Sequence, residues 1–307
     1  MARRLSDYLK EKYGEKIYRL SLSSGCTCPN RDGSIVMPDG ERLTGGCTFC
    51  SEGGSGEFAA EVAPIDVQIE EAKKRIAGKT EAKSFIAYFQ SYTNTYGDID
   101  RLKNLYTKAV LRDDIKVLSI GTRPDCIGED VIAMLSSLNR NKPVWVELGL
   151  QTIHEKTAFE IHRGYSLDVF EDAYNRLKKA GIEVIVHVIM GLPGETKKDM
   201  LETIKYLSKL DPTLDGIKIQ NLQLLKGTQM YEDYKNTRIN DKNKYTFMSM
   251  EEYTDLVAEC ISLLPRETVI HRMTGDGPRS LLVEPKWSTD KKRVLNMLTR
   301  KCSGLFI

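Results

Sequence analysis

Val184-Ile-Val-His-Val-Ile189 and Val144-Trp-Val-Glu-Leu148 are short, β-branched, apolar runs, each broken by one ionisable residue. Similar runs occur at Ile17-Tyr-Arg-Leu-Ser-Leu22, Phe85-Ile-Ala-Tyr-Phe89, Lys116-Val-Leu-Ser-Ile120 and Gly216-Ile-Lys-Ile-Gln220, with a possible seventh at Thr268-Val-Ile-His271. Runs this short and this apolar fit strands buried on both faces. The segments between them have helical periodicity. Ile65, Ile69, Ala72 and Ile76 make one apolar stripe, and Phe170, Ala173, Tyr174 and Leu177 make another that Gly181 stops. Thr196 with Asp199 and Ser249 with Glu252 have capping-box spacing, and Pro265 ends the second helix. Strands alternating with helices imply right-handed βαβ units and a parallel sheet. Six repeats predict an open or partial α/β barrel, and pattern alone leaves a doubly wound sheet as the alternative.

The chain has 307 residues, with 45 Lys plus Arg against 43 Asp plus Glu, a net charge of +2. That balance excludes a grossly basic nucleic-acid coat but allows a local basic face. A chain this long buries a large core without disulfide or metal staples. No run reaches the ~18 apolar residues of a membrane span, and residues 1–16 lack the apolar stretch of a signal peptide. The expectation is a cytoplasmic protein with no membrane partner, whose cysteines read as metal-binding or catalytic before they read as disulfides.

Four of the seven cysteines fall close together, as Cys26-x-Cys28 and Cys47-x-x-Cys50, on the loop after the first strand. In a parallel α/β barrel that loop faces the ligand-binding mouth. Four thiolates could enclose a structural zinc. Three could hold a cubane iron–sulfur cluster and leave one iron open for chemistry. Placement at the mouth, and the glycine pairs Gly45-Gly46 and Gly53-Gly54 around the motif, favour the iron reading. Phe49 sits inside the CxxC as an apolar wall. Cys126, Cys260 and Cys302 read as small buried core residues.

Cys28-Pro-Asn-Arg-Asp-Gly33 followed by Gly45-Gly-Cys-Thr-Phe-Cys50 resembles the radical S-adenosylmethionine (SAM) enzymes. The resemblance is to the branch related to the Elongator catalytic subunit, and within it to the bacterial YtqA/YhcC type. It continues through Thr-Arg-Pro-Asp, Glu-Leu-Gly-Leu-Gln-Thr, Met-Gly-Leu-Pro-Gly-Glu and His271-Arg-Met-Thr-Gly-Asp-Gly-Pro-Arg279. It implies a partial (β/α)6 radical SAM barrel at 17–230, an N-terminal extension at 1–16, and a substrate-contacting C-terminal extension packed on the barrel at 231–307. The insert between Cys28 and Cys47 is longer than is typical, with Val36–Leu43 as the extra turn, and the expectation is a protein without the acetyltransferase domain of the Elongator subunit. The resemblance assigns the [4Fe-4S] ligands to Cys28, Cys47 and Cys50 and leaves Cys26 out. SAM would bind the open iron and be cleaved to a 5′-deoxyadenosyl radical.

Residues at strand ends acquire roles by the same resemblance. Gln90, Thr93 and Asn94 fall where relatives cradle the SAM amino group, Gln151 where they hold the ribose, and Gly191 where they pack on adenine. Arg123 is either a partner for the SAM carboxylate or half of a structural ion pair. Glu147, a carboxylate in an apolar strand, must contact the cofactor or belong to a buried pair. His187 is a core or a catalytic imidazole. Arg163, Lys218, Lys226, Arg272 and Arg279 form either a candidate basic ring around the mouth that could contact RNA phosphates or an ordinary solvated surface, with Tyr92, Tyr96, Tyr165 and Trp287 as base-stacking candidates and Trp287 equally a C-terminal packing anchor. The implied reaction trims a carboxymethylaminomethyl group at C5 of the tRNA wobble uridine to aminomethyl. The implied partners are tRNA, reduced flavodoxin or ferredoxin as electron donor, and a downstream methyltransferase. The alternatives are a zinc-stapled nucleic-acid-binding protein without catalysis, and a radical SAM enzyme acting on a small molecule.

Overall fold

The computed structural model describes residues 2–54, 59–78, 80–240 and 244–306, without the side chains of 237–240. Two-residue strand β1 (Arg3–Arg4) leads into α1 (Leu5–Tyr13). Five strand–helix units and a sixth strand follow: β2 (Ile17–Leu22), α2 (Ile65–Ile76), β3 (Ser84–Phe89), α3 (Ile99–Val110), β4 (Ile115–Thr122), α4 (Glu129–Asn139), β5 (Val144–Gln151), α5 (Glu155–Glu160), α6 (Leu167–Lys179), β6 (Glu183–Met190), α7 (Lys197–Leu207) and β7 (Gly216–Asn221). The remainder is β8 (Leu224–Leu225), α8 (Gln229–Asn240), α9 (Met250–Leu263), β9 (Val269–Arg272), β10 (Leu282–Glu284) and α10 (Lys291–Lys301).

Eight of these strands form one all-parallel sheet in the order β1-β9-β7-β6-β5-β4-β3-β2. It curls into the expected partial barrel. Arg19 on the edge strand β2 reaches His271 on β9, near the other edge, at 3.0 Å across the interior. The possible seventh strand is real, and it lies in the segment read as a C-terminal extension. β1, from the segment read as an N-terminal extension, pairs with it. Both terminal segments therefore build the barrel wall. Both capping boxes form, and Gly181 turns the chain after α6 with φ +72°.

The interior is layered because strand side chains alternate with period two. Ile17, Ile86, Val117, Trp145 and Ile185 form a buried apolar layer, closed from below by Leu9 of α1. Two residues further along each strand come Arg19, Tyr88, Ser119, Glu147 and His187, a polar layer above it. Gly216 makes room for this arrangement, since a Cβ there would stand 2.8 Å from the His271 ring.

Candidate active site at the barrel mouth

A cavity of about 1480 Å³, including the part open to solvent, occupies the C-terminal ends of the strands. Cys28, Cys47 and Cys50 all line it, from the loop after β2. Asn30 Nδ2 donates to Cys47 Sγ at 3.3 Å and to the His162 carbonyl at 3.2 Å. Thr93 Oγ1 lies 2.8 Å from Cys28 Sγ. A hydrogen bond from Cys50, and then the Arg123 charge and the Asn30 amide, bring the Cys47 thiol down to about 6 against its burial. Burial pushes Cys28 up. Cys26 is buried in the main core and takes a contact from Arg101 at 3.3 Å, so it does not share the cavity with the other three. Cys260 and Cys302 are fully buried as expected. Cys126 is not a core thiol: it sits half-exposed in the 3-10 turn Pro124–Cys126, beside Asp125.

The donor set fits an iron–sulfur cluster. Three thiols converge on one cavity, with the Asn30 amide donating to one sulfur and the Thr93 hydroxyl beside another, and the fourth nearby thiol is turned away. Gly54 is required beside them, because a Cβ there would overlap the Tyr92 ring.

Phe49, Gln90, Thr93, Arg123, Glu147, Gln151 and His187 line the same cavity, as the sequence reading expected. Gln151 takes φ +63° and Tyr92 φ +59°, left-handed conformations that non-glycine residues seldom adopt outside functional sites. Tyr165 Oη donates to the Gly149 carbonyl at 2.7 Å and to Gln151 Oε1 at 3.1 Å, holding that strand end.

Several expectations are corrected, and where the sequence left two readings of Arg123 and Trp287 the structure has one of them. Asn94 is fully buried and does not line the cavity. Its amide ties the Phe89 and Gly121 carbonyls together, and Ser24 donates to its oxygen at 2.6 Å. Gly191 also lies outside the lining, at the turn after β6, where its N–H meets Met200 sulfur at 3.0 Å. Arg123 already has a carboxylate within the chain: it holds Asp125 through two hydrogen bonds of 2.9 and 2.7 Å. Arg163 is 1% exposed, with its guanidinium spent on the Leu150, Thr152 and Tyr165 carbonyls, so it offers nothing to a phosphate. Lys218 is enclosed in the polar layer rather than presented on a basic ring. Lys226 and Arg279 are exposed, and their chain neighbours Leu225 and Pro278 line the cavity, which puts both at the rim. Trp287 is a packing anchor, donating to the Met248 carbonyl at 2.7 Å and lying against Tyr253.

The polar layer is the cavity floor. Glu147, 1% exposed, is paired with Lys218, accepts from Ser119 Oγ at 2.9 Å and lies 2.8 Å from His187 Nε2. Arg19 stands 3.8 Å away. Burial alone would raise the Glu147 carboxyl, but the Lys218 ammonium, the His187 hydrogen bond and Arg19 hold it well below the usual range. Burial and the Lys218 charge push His187 down to about 4, so the neutral ring donates to Glu147. Burial, and then Arg19, also keep His271 neutral, and it accepts from Arg19. Sequence reading missed Arg19, Tyr88 and Asn30. Arg19 and Tyr88 carry the signal that exposed Glu147, a polar group inside an apolar strand, and Asn30 lies within the quoted cysteine motif.

A parallel half-barrel with three thiols and a polar floor at its mouth defines a class of enzyme. Residues 40–207 match the Radical SAM superfamily and residues 214–303 the Radical SAM C-terminal domain. The chain belongs to the radical SAM superfamily, in the branch of the Elongator-protein-3-like proteins. YtqA of Bacillus subtilis is 40% identical over 298 residues, 97% of this chain and 88% of that protein. The tRNA uridine(34) acetyltransferase of Methanocaldococcus jannaschii is 29% identical over 170 residues, 54% of this chain and 29% of that protein. The structure of archaeal Elp3 from Methanocaldococcus infernus superposes with a TM-score of 0.65 at 20% identity, covering 79% of this chain and 60% of that one. No helix among the described residues is long and apolar enough to cross a membrane.

Proposed function

We propose that this radical SAM enzyme binds a [4Fe-4S] cluster through Cys28, Cys47 and Cys50 and modifies the wobble uridine of tRNA, converting carboxymethylaminomethyl at C5 to aminomethyl. The observation that carries the cluster is the convergence of those three thiols on one cavity while Cys26 turns into the core. When bound, the cluster and SAM supply a 5′-deoxyadenosyl radical that abstracts a substrate hydrogen. The chain's own residues orient and exclude. Thr93 and Asn30 hold the thiols, Gln90 and Gln151 offer polar contacts to SAM, Phe49 walls off solvent, and the Glu147 layer closes the floor. Lys226 and Arg279 at the rim would meet the phosphates of an anticodon loop, whose unstacked bases can be splayed into a mouth. Similarity to a tRNA uridine(34) acetyltransferase supports that substrate. Reduced flavodoxin or ferredoxin would deliver the electron, and a methyltransferase would take the aminomethyl product onward. The exclusion of Cys26 weighs against a closed four-thiolate zinc site.

Mass spectrometry of tRNA nucleosides from a deletion strain tests the reading. Accumulated carboxymethylaminomethyluridine derivatives, reversed by the restored gene, support it. An unchanged wobble-uridine profile overturns the substrate assignment, and a colourless zinc protein after anaerobic reconstitution overturns the cluster.

A further inference from the structure

We propose that Arg272 is the receptor for a carboxylate carried on the substrate base, set deep in the cavity above the charged floor; this rests on the reading above, in which the wobble substituent ends in a carboxylate. The site is built by an irregularity in the sheet. β9 and β7 pair Ile270 with Ile217 and then Arg272 with Lys218, so His271 is the extra residue of a bulge. A bulge re-aims side chains. Here it lets two successive residues face inward: His271 reaches Arg19, and Arg272 lines the cavity.

Arg272 differs from the other guanidinium groups lining the cavity. Arg123 is neutralised by Asp125, and Arg31 donates to the Ser51 carbonyl at 2.6 Å and lies over the Tyr92 ring. Among the described residues Arg272 makes one hydrogen bond, to Gln220 Oε1 at 3.3 Å, and no ion pair. Gln220 fixes one edge of the guanidinium and leaves the rest of the fork free. The charge around it is unbalanced in the same sense. Arg19, Lys218 and Arg272 converge on the floor, and among the described residues Glu147 is the one carboxylate there, already occupied by Lys218, Ser119 and His187. Asp276, the other carboxylate lining the cavity, is at the rim and is paired with Lys291 at 2.5 Å. An excess of basic groups in a concave, partly desolvated site attracts an anion, and a planar fork suits a carboxylate. RNA phosphates stay on the backbone at the rim, so the anions that reach this depth are the SAM carboxylate and the carboxylate attached to the base, and comparing stem-loops that differ only in the base substituent reads the second alone.

The test is equilibrium binding of the full-length, anaerobically purified protein to anticodon stem-loops. The wobble uridine carries carboxymethylaminomethyl, the matching carboxamide, or aminomethyl. The expected wild-type result is at least ~10-fold tighter binding of the carboxylate than of the carboxamide, the scale of one charge-assisted contact. In Arg272→Gln that ratio falls to about one, while aminomethyl binding is unchanged; Arg272→Lys retains part of the preference. Arg272→Lys also guards against a fold defect, since its thermal midpoint and iron content should match wild type. Specific stem-loop binding with equal affinity for carboxylate and carboxamide overturns the receptor. If no stem-loop binds better than a scrambled hairpin, the tRNA reading fails and the receptor falls with it, an outcome distinct from the first.

Discussion

The two layers inside the half-barrel are built by the same strands, two residues apart, and they do opposite work. The lower layer, Ile17, Ile86, Val117, Trp145 and Ile185, is sealed by α1 and is wholly apolar. The upper layer substitutes Arg19, Tyr88, Ser119, Glu147 and His187 at the next inward positions. The lower layer can be remodelled by anything of matching shape, because it holds only dispersion and hydrophobic contacts. The upper layer is a network in which each charge depends on a partner, since a buried ion left alone costs several kcal/mol. Stability therefore resides at the bottom of the barrel and chemical commitment at the top, with one strand period between them.

The strongest way to break this contrast lies at the mouth. Cys47→Ala should leave less than about one iron per chain after reconstitution and abolish SAM cleavage, whereas Cys26→Ala should retain about four. Iron and 5′-deoxyadenosine assays decide it, and equal iron loss in both variants would restore the four-thiolate alternative. Next comes the floor. Glu147→Gln strands Lys218 and should cost about 3–5 kcal/mol in denaturant unfolding, while Glu147→Gln with Lys218→Met should recover much of that loss. A double variant no more stable than the single one would mean the pair is not the dominant partner.

The pH dependence is the third test. His187 has its folded value lowered to about 4 from 6.5. The unfolded chain binds that proton more tightly, so stability is full above about 6.5 and falls as pH drops toward 4. The loss should approach about 3 kcal/mol, at ~1.4 kcal/mol per unit. Urea midpoints measured across that range should fall less steeply in His187→Gln. The smallest effect belongs to the lower layer. The Trp145 indole N–H is buried with no hydrogen-bond partner among the described residues, so Trp145→Phe removes an unsatisfied donor along with some volume. The net change should stay within about 1.5 kcal/mol, with iron content unaltered.

Much of the fold was legible because apolar β-branched runs and helical stripes encode local burial directly. β2 runs over the residues read for it, and the ends of β3, β5 and β6 moved by one to three residues. The plug made by α1 was not legible, since its nine residues are mostly polar and only Leu9 is buried. Nor were β1 and the antiparallel β8–β10 pair, two or three residues in each strand, too short to carry a period. At the site, the cysteine motif identified itself, and Glu147 and His187 stood out as ionisable groups in apolar strands. Two of the five residues of the basic ring dropped out, because charge in a sequence does not say whether a side chain meets solvent or the carbonyls of its own loop. Arg163 does the latter and Lys218 meets a buried carboxylate.

The sequence by itself determined the alternation of strands and helices, the loop that bears the cysteines and the family motif, because each depends on residues near one another in the chain. Only the tertiary structure decided that Cys26 turns into the core, that Arg123 is already paired, and that Arg272 is left without an ion-pair partner among the described residues. The Arg123 pair is made within one short turn, two residues apart, whereas the Arg272 outcome depends on sheet curl and on a single bulge between β7 and β9. Curl and bulge bring together side chains up to 252 positions apart, such as Arg19 and His271, and no local pattern records such a meeting.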